Sequence, residues 1–181
     1  MTLLPSIRTE YQRYRRLVEL ALDQVDDRDL DRTPTTDGNS IAILLGHLSG
    51  NLRSRFTDFL TSDGEKPWRR RDAEFEPTGR TRAQLLDAWR AAWLVVDRAL
   101  ADVAAAGDAA LGRTVTIRNQ PLSVLDALLR SVAHVAYHTG QIVLLARGFA
   151  GDRWQMLSIP RGGSAAYAAN PTKEKSPDAG R

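Results

Sequence analysis

The sequence predicts an all-α four-helix fold, on three observations. Four stretches carry apolar residues at helical spacing and are bounded by capping or breaking residues. The segments between them are rich in Pro, Gly, Asn and Asp. All three histidines of the chain fall within two of the four stretches, and two of them form the pair His134 and His138. Residues four apart on a helix lie one turn above each other on one face, so this pair can aim two imidazoles at a single point.

Composition sets the outer bounds. A chain of 181 residues, 43% of them hydrophobic, fits one domain with a substantial core. That domain is expected over residues 1–168, with 169–181, polar and rich in Pro and Gly, as a disordered tail. The absence of cysteine excludes disulfides, thiolate metal ligands and a cysteine nucleophile, so any reactive thiol must come from outside. The net charge is +3, but the basic residues are interleaved with acids. Only Arg69-Arg-Arg71 forms a basic run, and Asp72, Glu74 and Glu76 follow at once, so no nucleic-acid partner is expected. The N-terminus lacks a secretory pattern and no stretch has the length of a membrane span. No membrane partner is expected, and a cytoplasmic location is the default.

The first helix is expected from Thr2 to Leu30, with Leu17, Leu20, Ala21 and Val25 inward and Arg13, Arg15, Arg16 and Glu19 in water. The breakers of Arg32–Asn39 then reverse the chain. Asn39 or Ser40 suits the N-cap of a second helix whose opening, Ile41-Ala-Ile-Leu-Leu45, is apolar on all sides and therefore buried. His47 follows this run, flanked by the small residues Gly46 and Gly50. Asn51 lies one turn beyond on the same face, placed to orient the ring or to touch a substrate. Arg53, Arg55 and Asp58 read as a solvated face.

Residues 63–80 form a long connection without periodicity, and loops of that length inside a compact domain are often functional. Trp68 is expected there either as a lid above the histidines or as an outside anchor. Thr81-Arg-Ala-Gln84 is a capping box. The third helix runs from it to about Ala106, burying Leu85, Trp89, Trp93, Val96 and Leu100, and Gly107 stops it. Arg113–Ile117 alternates like a strand and leads into a turn at Arg118–Pro121, a short β-hairpin before the fourth helix. Ser123 caps that helix, Asp126 favours its N-terminal dipole, and Gly148 closes it. His134 and His138 are thus mid-helix, where packing holds rotamers.

Gln141, three residues after His138, stays on the histidine stripe as a hydrogen-bonding partner of a ring or a contact to a bound ligand. Tyr137 is about 100° of helical rotation off that stripe, a packing residue first and a proton donor second. If the second and fourth helices pack side by side, His47 joins His134 and His138 in a three-histidine metal site with an open position, the arrangement that favours chemistry over structure.

The pattern of one histidine in the second helix and His134-x-x-x-His138-x-Gly-Gln141 in the fourth resembles the DinB-like (YfiT-type) superfamily of four-helix metal proteins. Gly46–Leu60, Asp63-Gly-Glu-Lys-Pro-Trp-Arg69 and Leu157-Ser-Ile-Pro-Arg-Gly162 are similar to one uncharacterised subgroup of it, and the likeness extends to about residue 167. It implies an up-and-down bundle holding a divalent metal, commonly zinc or nickel, through His47, His134 and His138. Some relatives use the metal to activate a low-molecular-weight thiol for S-transfer or isomerisation. A homodimer is common for such bundles, although no stripe in this sequence singles out a partner surface.

Three neutral imidazoles leave a bound metal its full charge, so it lowers the pKa of a coordinated water or thiol. A hydrolase would also want a carboxylate as general base. At helical spacing only Asp126 and Asp58 lie on the same elements as the histidines, and both are too far away, which tilts the reading toward thiol chemistry. The leading expectation is therefore a metal-dependent enzyme acting on a small molecule, either a thiol S-transferase or isomerase, or a hydrolase. A non-catalytic metal-binding or small-molecule-sensing bundle is the alternative, and a plain helical interaction protein the third.

Overall fold

The periodicity is realised as four long helices and one hairpin in a computed structural model, which describes residues 3–77 and 79–172. The helices are α1 (Leu3–Leu22), α2 (Ile41–Phe56), α3 (Arg82–Ala105) and α4 (Val124–Ala150), with the strands β1 (Thr114–Ile117) and β2 (Gln120–Ser123) before α4 and a short helix α5 (Ser164–Ala169) after it. The sequence places four of the helix boundaries correctly because they are written in side-chain chemistry. Ser40 accepts a hydrogen bond from the Ile43 N–H, and Ser123 accepts one from the Asp126 N–H. Thr81 and Gln84 close both halves of the capping box, and Gly107 ends α3 at φ 78°.

Two ends differ from expectation. α1 stops at Leu22 rather than Leu30, and Asp27–Asp29 forms a separate 3-10 turn. Asp23, Asp26, Asp27 and Asp29 would crowd negative charge onto the negative end of a longer helix, so the chain leaves the helix where the acids begin. Its buried face is Leu4, Ile7, Tyr11, Val18, Ala21 and Leu22, with Leu17 and Leu20 half-buried at the edge. α4 runs past Gly148 to Ala150, and Gly151, at φ 56°, makes the turn that a side chain would resist. The Thr2 start and the tail from residue 173 lie outside the described residues.

The core is one continuous cluster. Trp89 and Trp93 of α3 are fully buried, stacked edge to face with ring centroids 5.4 Å apart, and Tyr11 of α1 meets Trp93 edge-on at 5.8 Å. The most extensive helix contacts are α2 with α3 and α1 with α4, followed by α2 with α4. The sequence neighbours α1 and α2 share no comparable face, nor do α3 and α4, so the bundle is held by the consecutive pair α2 and α3 together with the distant pairs α1 with α4 and α2 with α4. The contact between α2 and α4 is the one that brings His47 to the later histidines.

The hairpin is antiparallel, with Ile117 opposite Gln120, and Arg118 and Asn119 turn the corner at φ 56° and 60°. Asp63 explains how a non-glycine pair tolerates this. Its carboxylate accepts from the N–H groups of Arg118 and Asn119 at 2.9 and 2.8 Å and from that of Glu65 at 2.7 Å. Desolvation works against its charge, but these donors outweigh it and hold the carboxyl well below the usual range. The Gly64 N–H adds a bond to the Thr116 carbonyl at 2.8 Å. The long connection after α2 is thereby pinned to the hairpin. Pro121 lies within β2 opposite Thr116 rather than in the turn itself.

Candidate metal centre

His47 is buried among the small and apolar residues of α2, and its Nε2 lies 3.2 Å from the Nε2 of His134 on α4. With His138 the three offer ring nitrogens all within 4.8 Å of one another. Two nitrogens sharing one tetrahedral zinc-like ion at the usual ~2.0–2.1 Å stand about 3.3–3.4 Å apart, so the closest pair is already at the spacing a shared ion requires.

The far side of each ring decides which nitrogen is left to bind. The Nδ1 of His138 lies 2.7 Å from Gln141 Oε1, where Nδ1–H donates and Nε2 keeps its lone pair. The Nδ1 of His47 lies 2.9 Å from Glu74 Oε2, with the same consequence. His134 Nδ1 is buried without a partner among the described residues. With His47 Nε2 bare, the 3.2 Å gap to His134 Nε2 is closed by the single proton of a neutral His134 when that proton is on Nε2, and by a shared cation when it is on Nδ1. Burial first, then the neighbouring histidines and arginines, push His134 down to about 4, so the ring is neutral near pH 7 and free to act as a ligand, and the donor set fits a divalent cation. His138 is shifted in the same direction, chiefly by burial.

Glu74 is the residue that sequence reasoning missed. The sequence shows no carboxylate at helical spacing from either histidine motif, and this one arrives from the long connection, on the 3-10 turn Asp72–Phe75. Arg69 grips it in a two-point fork, Nε to Oε1 and Nη2 to Oε2, both at 2.8 Å. Burial tends to raise the Glu74 pKa, but the bonds from Arg69 and His47 prevail and hold it low. Gly50 makes this approach sterically permissible. A Cβ at that position would overlap Glu74 Oε1 and stand 2.9 Å from its Cδ. The signal was present as a glycine three residues beyond His47 on the same face, without any indication of which segment fills the space.

The other expected residues fall in different places. Asn51 is 91% buried, being 9% exposed, and lines the cavity beside the histidines. Tyr137 is exposed, its ring edge-on to His138 with centroids 4.9 Å apart. Trp68 lies outside this cavity, under the Arg53 guanidinium at 4.7 Å and along a separate groove between α2 and α3. The aromatic ring over the histidines is instead that of Phe75, 4.7 Å from His47. Arg55 is not part of a solvated face. It binds the Gly64 carbonyl at 2.5 Å and Glu65 at 3.2 Å, and it lines the cavity. The 151–157 segment folds against the end of α1, where Gln155 N–H donates to Gln24 at 2.6 Å and Arg153 pairs with Asp26 at 2.9 Å.

The cavity in front of the histidines measures about 430 Å³, enough for a small molecule. Fold and site together define a helical bundle with a three-histidine cluster that could hold a metal ion beside a cavity. The chain matches, over residues 1–163, the model of a family described as a protein of unknown function, DUF1572, and belongs to that family. No curated protein and no solved structure matches it.

Proposed function

We propose that this protein is a metal-dependent enzyme of the DinB-like kind, with His47, His134 and His138 as the ligands and a small molecule as substrate. The supporting observation is the facing pair of Nε2 atoms at 3.2 Å, each ring of the cluster bordering a cavity large enough for a reactant. A divalent ion held there, zinc or nickel by the family likeness, supplies Lewis acidity that stabilises a thiolate or hydroxide near neutral pH.

The protein's own groups then divide the work. Glu74 holds His47 in the tautomer that leaves Nε2 free, and it places negative charge behind a ligand that must share electrons with a cation. Gln141 does the same for His138 without a charge. Glu74 is a poor general base, because both its oxygens are already engaged by Arg69 and His47. Among the described residues lining the cavity there is no carboxylate. With no general base in the lining, a thiol, whose ordinary pKa of about 8.5 lies far below the ~15.7 of water, is the nucleophile that would ionise most readily at the ion. This favours thiol-dependent S-transfer or isomerisation over hydrolysis.

The test is turnover of an electrophile panel by metal-loaded protein, with and without small thiols. Thiol-dependent turnover that disappears on chelation is the expected result. Metal-dependent turnover without thiol would replace this reading by a hydrolase, and no turnover with any metal or thiol would replace it by a non-catalytic metal-binding bundle.

A further inference from the structure

The cavity carries a charge pattern that the metal reading leaves unused. Besides the histidines it is lined by Arg55, Arg69, Arg71, Arg118 and Arg130. Glu65 pairs with Arg55 and Arg118, Glu74 with Arg69, and Asp72 with the exposed Arg71. Arg130 has no ionic partner among the described residues, and none of those carboxylates lines the cavity. The Asn51 side chain, which lines the same cavity, likewise has no hydrogen-bond partner among the described residues. A basic wall beside an unengaged amide is the complement of an acid.

The layout has a direction. From His47 the lining follows α2 forward through Asn51 to Arg55, and from His134 it follows α4 backward to Arg130, ending at the hairpin with Arg118. At 1.5 Å of rise per residue, Arg130 lies about 6 Å from His134 along its helix and Arg55 about 12 Å from His47. We propose that the cavity takes a small organic acid, its carboxylate held at the hairpin end by Arg130, Arg55 and the Asn51 amide, and its reacting atom at the histidines some 6–12 Å away. This deepens the enzyme reading and rests on it for the reacting end alone.

The test has two arms. In the first, zinc-loaded protein is titrated with 6-mercaptohexanoate and with the neutral 6-mercaptohexanol. In the second, metal-free protein is titrated with adipate and with the neutral adipamide. In both arms the acid is expected to bind about tenfold or more tightly than its neutral partner, with the difference shrinking at high salt. Arg130→Gln, an exposed position whose change leaves the core intact, should remove most of that preference without altering zinc uptake. Equal binding of acid and neutral probes in both arms overturns the proposal and leaves the metal reading untouched. Undiminished preference in Arg130→Gln also overturns it. Failure of zinc uptake removes the enzyme reading, and the adipate arm then decides the anion site on its own.

Discussion

Glu74 determines which nitrogen His47 presents. A carboxylate on Nδ1 fixes the ring and raises its basicity, and loss of such a partner typically costs ~10–100-fold in metal affinity. Glu74→Gln is therefore expected to weaken zinc binding by about that factor in a chelator-competition titration, with the helical circular dichroism unchanged. Gly50→Ala tests the same contact from the other side. In a helix interior alanine is favoured over glycine by about 0.5–1 kcal/mol, so on propensity alone this substitution stabilises. The Cβ would displace Glu74, so weaker metal binding without loss of helix is the expected outcome. Metal affinity unchanged in both variants would separate Glu74 from the metal centre.

The residues showed only part of this in advance. His134, His138 and Gln141 were legible because helical spacing is local, and the structure puts Gln141 on His138. Asn51 was legible as a neighbour of His47 for the same reason. Glu74 was not, because a loop residue is placed by tertiary contacts that no periodicity encodes. Arg55 was read as solvated because a basic side chain is usually exposed, and the sequence carries no sign of the partners that bury it.

At the scale of elements, the connection between α2 and α3 matters more than its lack of repeating pattern suggests. Asp63 ties it to the hairpin, Arg69 ties it to itself, and Glu74 and Phe75 deliver it to His47. Removing the Asp63 carboxylate leaves three N–H groups without their acceptor. For this partly exposed site a stability loss of about 1–2 kcal/mol is expected for Asp63→Ala, read from denaturant unfolding. Metal affinity should fall with it, because the turn carrying Glu74 loses its anchor. The helix limits follow the same division. Ser40, the Thr81–Gln84 box and Ser123 mark starts through side-chain hydrogen bonds visible in the sequence, whereas the early end of α1 reflects an accumulation of aspartates that apolar spacing alone overruns.

For the whole molecule, the histidine cluster couples protonation to stability. In the metal-free protein the His134 pKa is pushed from 6.5 to about 4, so between those values the unfolded chain binds a proton that the native one refuses. Stability then rises with pH through this window, being complete above about 6.5 and lost progressively as pH falls toward 4. Melting temperatures between those limits should fall with pH in the native sequence and fall less in His134→Asn. Bound metal adds to the same slope, because protons compete for its ligands. The all-α class could be read from four amphipathic stretches. The pairing of α1 with α4 and α2 with α3 could not, because helix faces choose partners by shape after the chain has reversed. No helix among the described residues is long and apolar enough to cross a membrane.

The most direct measurement is the metal content of protein purified without a histidine tag, set beside the variant in which His47, His134 and His138 are all alanine. One divalent ion per chain in the first and none in the second is the expected result, with X-ray absorption showing three nitrogen neighbours at about 2.0–2.1 Å. A folded, tag-free protein that takes up no zinc or nickel, or an alanine variant that retains as much metal as the native chain, would contradict it.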